Sequence, residues 1–142
     1  MNFEFDDDQR MLRDQARRFL LDKSPPEVVR QTLEGDQPFD RELWKQFGDM
    51  GWIGAAIPEE YGGSGMGHLE LCVLAEELGR SLAPTPFASS VYLGAEALLT
   101  AGTEEQKQGY LPDLATGQAI WCLAISEGPQ PATAKNITVK VT

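Results

Sequence analysis

The chain has one histidine, His68, and two cysteines, Cys72 and Cys122. A single histidine with no Cys/His cluster speaks against a zinc site. It also leaves His68 as the only base for a Ser-His-Asp or Cys-His mechanism. Its place, opening a helix just after a glycine-rich loop, suits solvent exposure or capping instead. The cysteines lie far apart in apolar contexts, which predicts two buried free thiols and no disulfide. Basic residues are scarce too: 12 Lys and Arg stand against 22 Asp and Glu, for a net charge of −10. That balance disfavours nucleic acid and anionic membrane surfaces as partners. No apolar run approaches the roughly 20 residues that span a bilayer. The opening residues, MNFEFDDDQR, lack the basic and apolar regions of a secretory leader and the arginine content of a transit peptide, so the expected location is the cytoplasm. Neither GxxxxGK[ST] nor GxGxxG occurs, which removes the phosphate-cradling loops. No internal repeat is visible.

What the chain does have is one domain's worth of ordinary globular sequence: 142 residues, 42% hydrophobic. Its organising stretch is Gly51 to Gly67, GWIGAAIPEEYGGSGMG. Pro58 fixes its own φ and pushes Ile57 toward an extended conformation. Gly62, Gly63, Gly65 and Gly67 then permit positive φ and close backbone approach. This reads as a shaped loop joining two helical patterns, serving either as a plain crossover or as a carrier of function.

Helix signals surround that loop. Asp6 with Gln9 forms a capping box, and Leu12, Ala16, Phe19 and Leu20 draw one apolar stripe, so a helix is expected from about Asp7 to Asp22. Ser24-Pro25-Pro26-Glu27 starts a second helix, with Ser24 as its cap, ending at Gly35. Asp40 caps a third, striped by Leu43, Trp44, Phe47 and Met50 and stopped at Gly51. After Gly67 a fourth helix carries Leu69, Cys72, Val73, Leu74 and Leu78 over a wide buried face, leaving Glu70, Glu76 and Glu77 on its wet edge. A fifth runs from Thr85 or Pro86 to about Thr100 with only Glu96 charged. A helix apolar all round is central to a bundle or buried in an interface. Thr103 with Gln106 caps the sixth.

The pattern changes at the end. Ala119 to Ile125 is a short apolar run that suits a buried strand, and Asn136 to Thr142 alternates as a half-buried strand does. The fold class expected is mainly α: a helical bundle of about six helices followed by one or two short β-strands. Residues 1–117 form the helical domain. Two strands alone bury little, so residues 118–142 read as the beginning of a β domain continuing beyond Thr142.

Several stretches together resemble the acyl-CoA dehydrogenase family, flavoproteins that desaturate acyl thioesters. PEEYGGSGM at Pro58 to Met66 is similar to the family's PEEYGG-x-G segment. GTEEQKQGYLPDLATG, from Gly102 to Gly117, is similar to GTEEQK-xx-YLP-x-LA-x-G. FDRELW at Phe39 to Trp44 and DQRMLRDQARRF at Asp8 to Phe19 fall in the same order.

The resemblance implies an N-terminal helical domain entering a middle β domain that holds FAD. Ser126 takes the threonine position of the family's TEP-xx-GSD motif, with Leu123 and Ile125 as flanking flavin contacts and Glu127 matching. Gly128 replaces the proline, and PQPATA replaces the GSD segment. On the fifth helix, Thr85, Phe87, Ser89, Ser90 and Leu93 take the positions that line the acyl pocket. The catalytic glutamate belongs to a C-terminal helical domain, so no catalytic residue is assigned among these 142. Glu59-Glu60, Glu76-Glu77 and Glu104-Glu105 read as solvated faces or caps. The implied function is FAD-dependent desaturation of acyl-CoA, with this portion inactive alone and part of a homo- or hetero-oligomer. The alternative is a non-catalytic partner subunit of a heteromeric dehydrogenase. A free-standing acidic helical module is the third reading.

Overall fold

The computed structural model describes residues 5–128 and Thr133. Among the described residues there are six α-helices, and all but the fifth keep close to their expected bounds: α1 (Asp7–Lys23), α2 (Pro26–Glu34), α3 (Arg41–Asp49), α4 (His68–Ser81), α5 (Glu96–Ala101) and α6 (Glu104–Ala115). The capping boxes at Asp6/Gln9 and Thr103/Gln106 form as expected, and the Asp40 side chain accepts from the Leu43 N–H. Ser24 does not cap α2. Pro25 holds that position, and Ser24 instead ends α1, its N–H donating to Leu20 O at 2.8 Å. No side chain caps α2, which starts on Pro25 and Pro26.

The stretch after α3 is core and not merely crossover. Trp52, Ile53, Ala55 and Ile57 are all buried. The chain then folds back on itself: Ser64 N–H donates to Gly54 O, Gly65 N–H to Ile57 O and Met66 N–H to Ala55 O, at 2.8–2.9 Å. A Cβ on Gly63 would sit 2.0 Å from the Ile57 carbonyl oxygen, so only glycine fits where the returning strand of this loop crosses the outgoing one. Tyr61, on the single 3₁₀ turn Glu59–Tyr61, donates to Glu104 of α6 at 3.0 Å.

An aromatic chain runs through the bundle. Phe19 of α1 meets Trp52 edge-on at 5.4 Å between centroids, and Trp52 meets Phe47 of α3 at 5.1 Å. Phe47 meets Phe87 at 6.1 Å, and Phe87 meets Tyr92 at 5.5 Å, both edge-on. Such pairs add specificity to the area they bury. α1 packs on α4, with Ala16, Leu20, Leu71 and Leu74 in the shared core. Trp44 Nε1 donates to Gly117 O at 2.9 Å and closes α3 onto the end of α6.

Other expectations fail as well, Met50 of the α3 stripe being exposed. Glu77 is not on the wet edge of α4; it is 1% exposed and paired with Arg17. Cys72 and Cys122 are exposed thiols, because Cys72 falls on the side of α4 that faces an open cavity and Cys122 on an uncovered extended stretch. Leu69 is exposed as well, since α4 buries only one side against α1. His68 is exposed, as expected, and its Nε2 lies 2.8 Å from Glu96 Oε1. The strand expected at Ala119 to Ile125 is not formed among the described residues, where 120–126 are extended and irregular, and the strand expected at Asn136 to Thr142 lies outside them. Among the described residues no helix is long and apolar enough to cross a membrane.

Candidate functional site

The fifth helical pattern divides in two. Ala88–Ala95 is wound as a π-helix and passes without a break into α5. π-winding is rare, occurs mostly in short stretches inside α-helices, and gathers at functional sites. Here its cause is visible. Ser90 and Gly94 lie one turn apart under the extended stretch, and a Cβ on Gly94 would come within 2.7 Å of Trp121 Cβ. The wider turn and the missing side chain let that stretch lie directly on the helix.

One residue fastens the two. Ser90 Oγ accepts from the Trp121 N–H at 3.0 Å and donates to Trp121 O at 3.2 Å. Ser90 is fully buried, so both bonds are sheltered from water. Trp121 turns its ring against Tyr110 of α6, 5.1 Å between centroids. The fold therefore fastens the fifth helical segment to Trp121, at the head of the extended stretch that carries Leu123, Ile125 and Ser126.

Within the first group the side chains go different ways. Phe87 is a core residue of the aromatic chain. Ser89 Oγ donates to Pro86 O at 3.0 Å. Leu93 is exposed. Thr85 Oγ1 is buried with no hydrogen-bond partner among the described residues, and it borders a cavity of about 360 Å³ with Ala88, Phe87 and Tyr92. Burial pushes the Tyr92 phenol up to about 12, with the neighbouring Cys72 adding to it. A second cavity, of about 420 Å³, lies on the same side of α4 between His68, Cys72, Tyr92 and Glu96.

In the second group Leu123 and Ile125 are 42% and 49% exposed. Ser126 Oγ donates to Gly128 O at 3.0 Å. The backbone groups of residues 122–126 make no hydrogen bond among the described residues. Apolar side chains and unpaired amides on one extended edge can take a flat, partly polar ring or a further strand. Sequence reasoning missed Trp121, whose main chain is the link; its only signal was a tryptophan inside a short apolar run. Among the described residues no group of three or more His, Cys, Asp or Glu is placed to hold a metal ion.

Comparison with known proteins places this arrangement. Residues 6–118 match the family model described as acyl-CoA dehydrogenase, N-terminal domain. A probable acyl-CoA dehydrogenase, YngJ of Bacillus subtilis, is 36% identical over 129 residues, covering 89% of this chain and 33% of the relative. A chain of the ChsE4-ChsE5 complex from Mycobacterium tuberculosis superposes with a TM-score of 0.79 at 34% identity, over 92% of this chain and 36% of its own length. An acyl-CoA dehydrogenase complexed with FAD from Bacillus anthracis gives 0.78 at 30% identity, over 90% and 22%. The chain thus spans about a third of the length of the curated relative it matches. With four-fifths of its residues inside the matched domain, the chain belongs to the acyl-CoA dehydrogenase family.

Proposed function

We propose that the chain supplies the N-terminal helical part, residues 1–117, and the opening of the middle β domain, residues 118–142, of a flavoprotein that desaturates acyl-CoA thioesters. The observation that carries this reading is the Ser90–Trp121 seam. It sets an acyl-lining helix directly against the stretch that would meet the flavin, as a reaction between the two ligands requires.

FAD, when bound, supplies the acceptor for hydride leaving the acyl chain. The residues present fit its ring: Leu123 and Ile125 offer apolar contact, and the amides of residues 122–126, unpaired among the described residues, and the Ser126 hydroxyl offer donors. Ser126 would exchange its bond to Gly128 for one to the ring. Thr85 and Phe87 would border the acyl chain from the cavity they line, Thr85 Oγ1 having no hydrogen-bond partner among the described residues, while Ser89, Ser90 and Leu93 would act only through the helix that carries them. No residue of this chain is assigned the proton abstraction, and the 142 residues by themselves are expected to show no turnover. Cytoplasmic location and homo- or hetero-oligomeric assembly go with this reading.

A second reading has its own support. Gly128 and the PQPATA segment depart from TEP-xx-GSD, and one relative is described as part of a two-protein complex. On that reading the chain belongs to a non-catalytic partner subunit with a degraded flavin site. Flavin absorbance of the protein, purified alone and after co-expression with a second dehydrogenase from the same organism, separates the two. FAD retained by the protein alone supports the dehydrogenase. FAD retained only in the mixed complex supports the partner subunit, and FAD in neither overturns both.

A further inference from the structure

The cavity between α1, α2 and α4 lies away from the Ser90–Trp121 seam and shares only Leu82 with the cavity beside Thr85. It measures about 450 Å³, within the roughly 300–1,000 Å³ usual for small-molecule sites. Its walls are Leu20, Leu21, Val29, Leu33 and Leu82, with Pro25 and Pro26 at one end. Leu21, Leu33 and Leu82 are 71%, 76% and 70% exposed, the three most exposed large apolar side chains among the described residues. That all three line one cavity is more than scattered surface hydrophobicity.

Three further observations mark this cavity as a site. Ser24 lines it, is 3% exposed, and its Oγ has no hydrogen-bond partner among the described residues. A buried hydroxyl left unpaired calls for a polar atom to meet it. Leu82 holds a left-handed backbone, φ 51°, at the end of α4, where glycine or asparagine would be unstrained. A leucine kept in that conformation and turned to the cavity is retained for its side chain, not for its backbone. Finally, the charges lining the cavity are Arg17, Arg30 and Arg80 against Glu77 alone, in a chain of net charge −10. Arg17 and Arg80 both engage Glu77, whereas Arg30 has no ion-pair partner among the described residues.

We propose that this cavity binds a single-chain anionic amphiphile, a medium-chain carboxylate, with its tail along Leu21, Val29, Leu33 and Leu82 and its head toward Arg30 and Ser24. An apolar wall with one free guanidinium at its rim matches that ligand in both halves. A neutral chain would leave the cation unused, and a cationic one would be repelled. The site is independent of the flavin reading.

The test is an amide-shift titration of the full chain with decanoate below its micelle concentration, with decanol and decyltrimethylammonium as controls. Saturable shifts centred on Leu21, Ser24, Leu33 and Leu82, tighter for decanoate than for either control, support the site. Arg30→Glu should weaken decanoate roughly threefold to tenfold, as expected for a rim charge, and leave decanol unchanged. Leu82→Gly should raise the melting temperature while weakening decanoate, so a folding defect cannot mimic the loss. Shifts centred on the cavity of His68 and Glu96, equal binding of the three probes, or unchanged affinity in Arg30→Glu would overturn the proposal. So would binding to anionic vesicles, or to an acidic leucine-bearing peptide, without any response to monomeric decanoate.

Discussion

Arg17 grips Glu77 with both arms of its guanidinium: Nε to Oε2 at 3.0 Å and Nη2 to Oε1 at 2.7 Å, joining α1 to α4 across the core. Arg80 reaches the same carboxylate at 3.5 Å. The hydrogen bonds from Arg17 hold the Glu77 carboxyl below its usual 4.5. Likewise Gln9 donates to Glu70 at 2.9 Å and lowers that carboxyl, a second tie between the same two helices.

The two partners of the first pair are not equivalent, and the difference is measurable. Glu77 is buried, whereas Arg17 is 42% exposed at its side chain. Removing the arginine strands a buried charge; removing the carboxylate frees an arginine that water can solvate. Arg17→Leu should therefore lower the melting temperature by about 5 °C or more, and Glu77→Leu by clearly less. Equal losses would show that the pair acts by packing alone. The sign with pH follows from the lowered carboxyls. Their contribution is present above 4.5 and fades as the pH falls through their depressed folded values. Glu77→Gln should flatten the acid side of the stability profile measured by thermal melting.

The Ser90–Trp121 seam gives the second prediction. Ser90→Ala removes a donor and an acceptor in a fully buried place, at a cost of about 1–3 kcal/mol. The stretch from residue 119 should loosen, and the Trp121 amide should exchange with solvent faster. Ser89→Ala is the control, since Ser89 bonds only back to Pro86 on its own segment. If both variants leave the Trp121 amide equally protected, the seam is held by the ring contact with Tyr110 instead.

Much of this fold was legible along the chain because helix ends are written locally. Asp6 with Gln9, Asp40 and Thr103 with Gln106 satisfy N–H groups within three residues, so their meaning needs no tertiary context. Glu77 misled for the opposite reason: its partner stands 60 residues away, and a glutamate next to another, Glu76, looks like surface. The π-winding of Ala88–Ala95 was hidden because an apolar pattern on every side carries no phase. The bond between Ser90 and Trp121 was hidden too, because it runs through the main chain of Trp121, which side-chain patterns do not encode.

Tyr92 supplies a prediction at the alkaline end. Burial pushes its phenol up to about 12 in the folded chain, from 10.0 for an unburied one. The unfolded chain gives up its proton first, so the stability from this group is intact below pH 10.0 and is lost as the pH climbs toward about 12. Tyr92→Phe keeps the edge-on contact with Phe87 and removes the titrating group. Spectrophotometric titration should show Tyr92 as the last tyrosine of the parent to ionise, a phase lost in Tyr92→Phe, and the variant should lose less stability above pH 10.0. Tyr61, whose phenol is also raised, by burial and then by its bond to Glu104, still ionises above its ordinary value in the variant, and an unchanged last phase would assign the effect to it.

Two glycines separate the scaffold from its surface. Gly63 crosses Ile57 so closely that a Cβ would meet the carbonyl oxygen at 2.0 Å and the Ile57 Cβ at 2.5 Å. Neither neighbour can swing aside, since Ile57 is buried and its carbonyl accepts from Gly65. Gly63→Ala must then break the fold-back of the loop and disturb the core around Trp52 and Ile53, costing roughly 3 kcal/mol or more. Gly79 lies within α4 with open space around it. There alanine adds helix propensity and meets nothing, so Gly79→Ala should stabilise by about 0.5–1 kcal/mol. Chemical denaturation of the two variants gives opposite signs if the loop after α3 is the rigid centre of this domain. A Gly63→Ala protein as stable as its parent would mean that the loop gives way, and that the core is organised elsewhere.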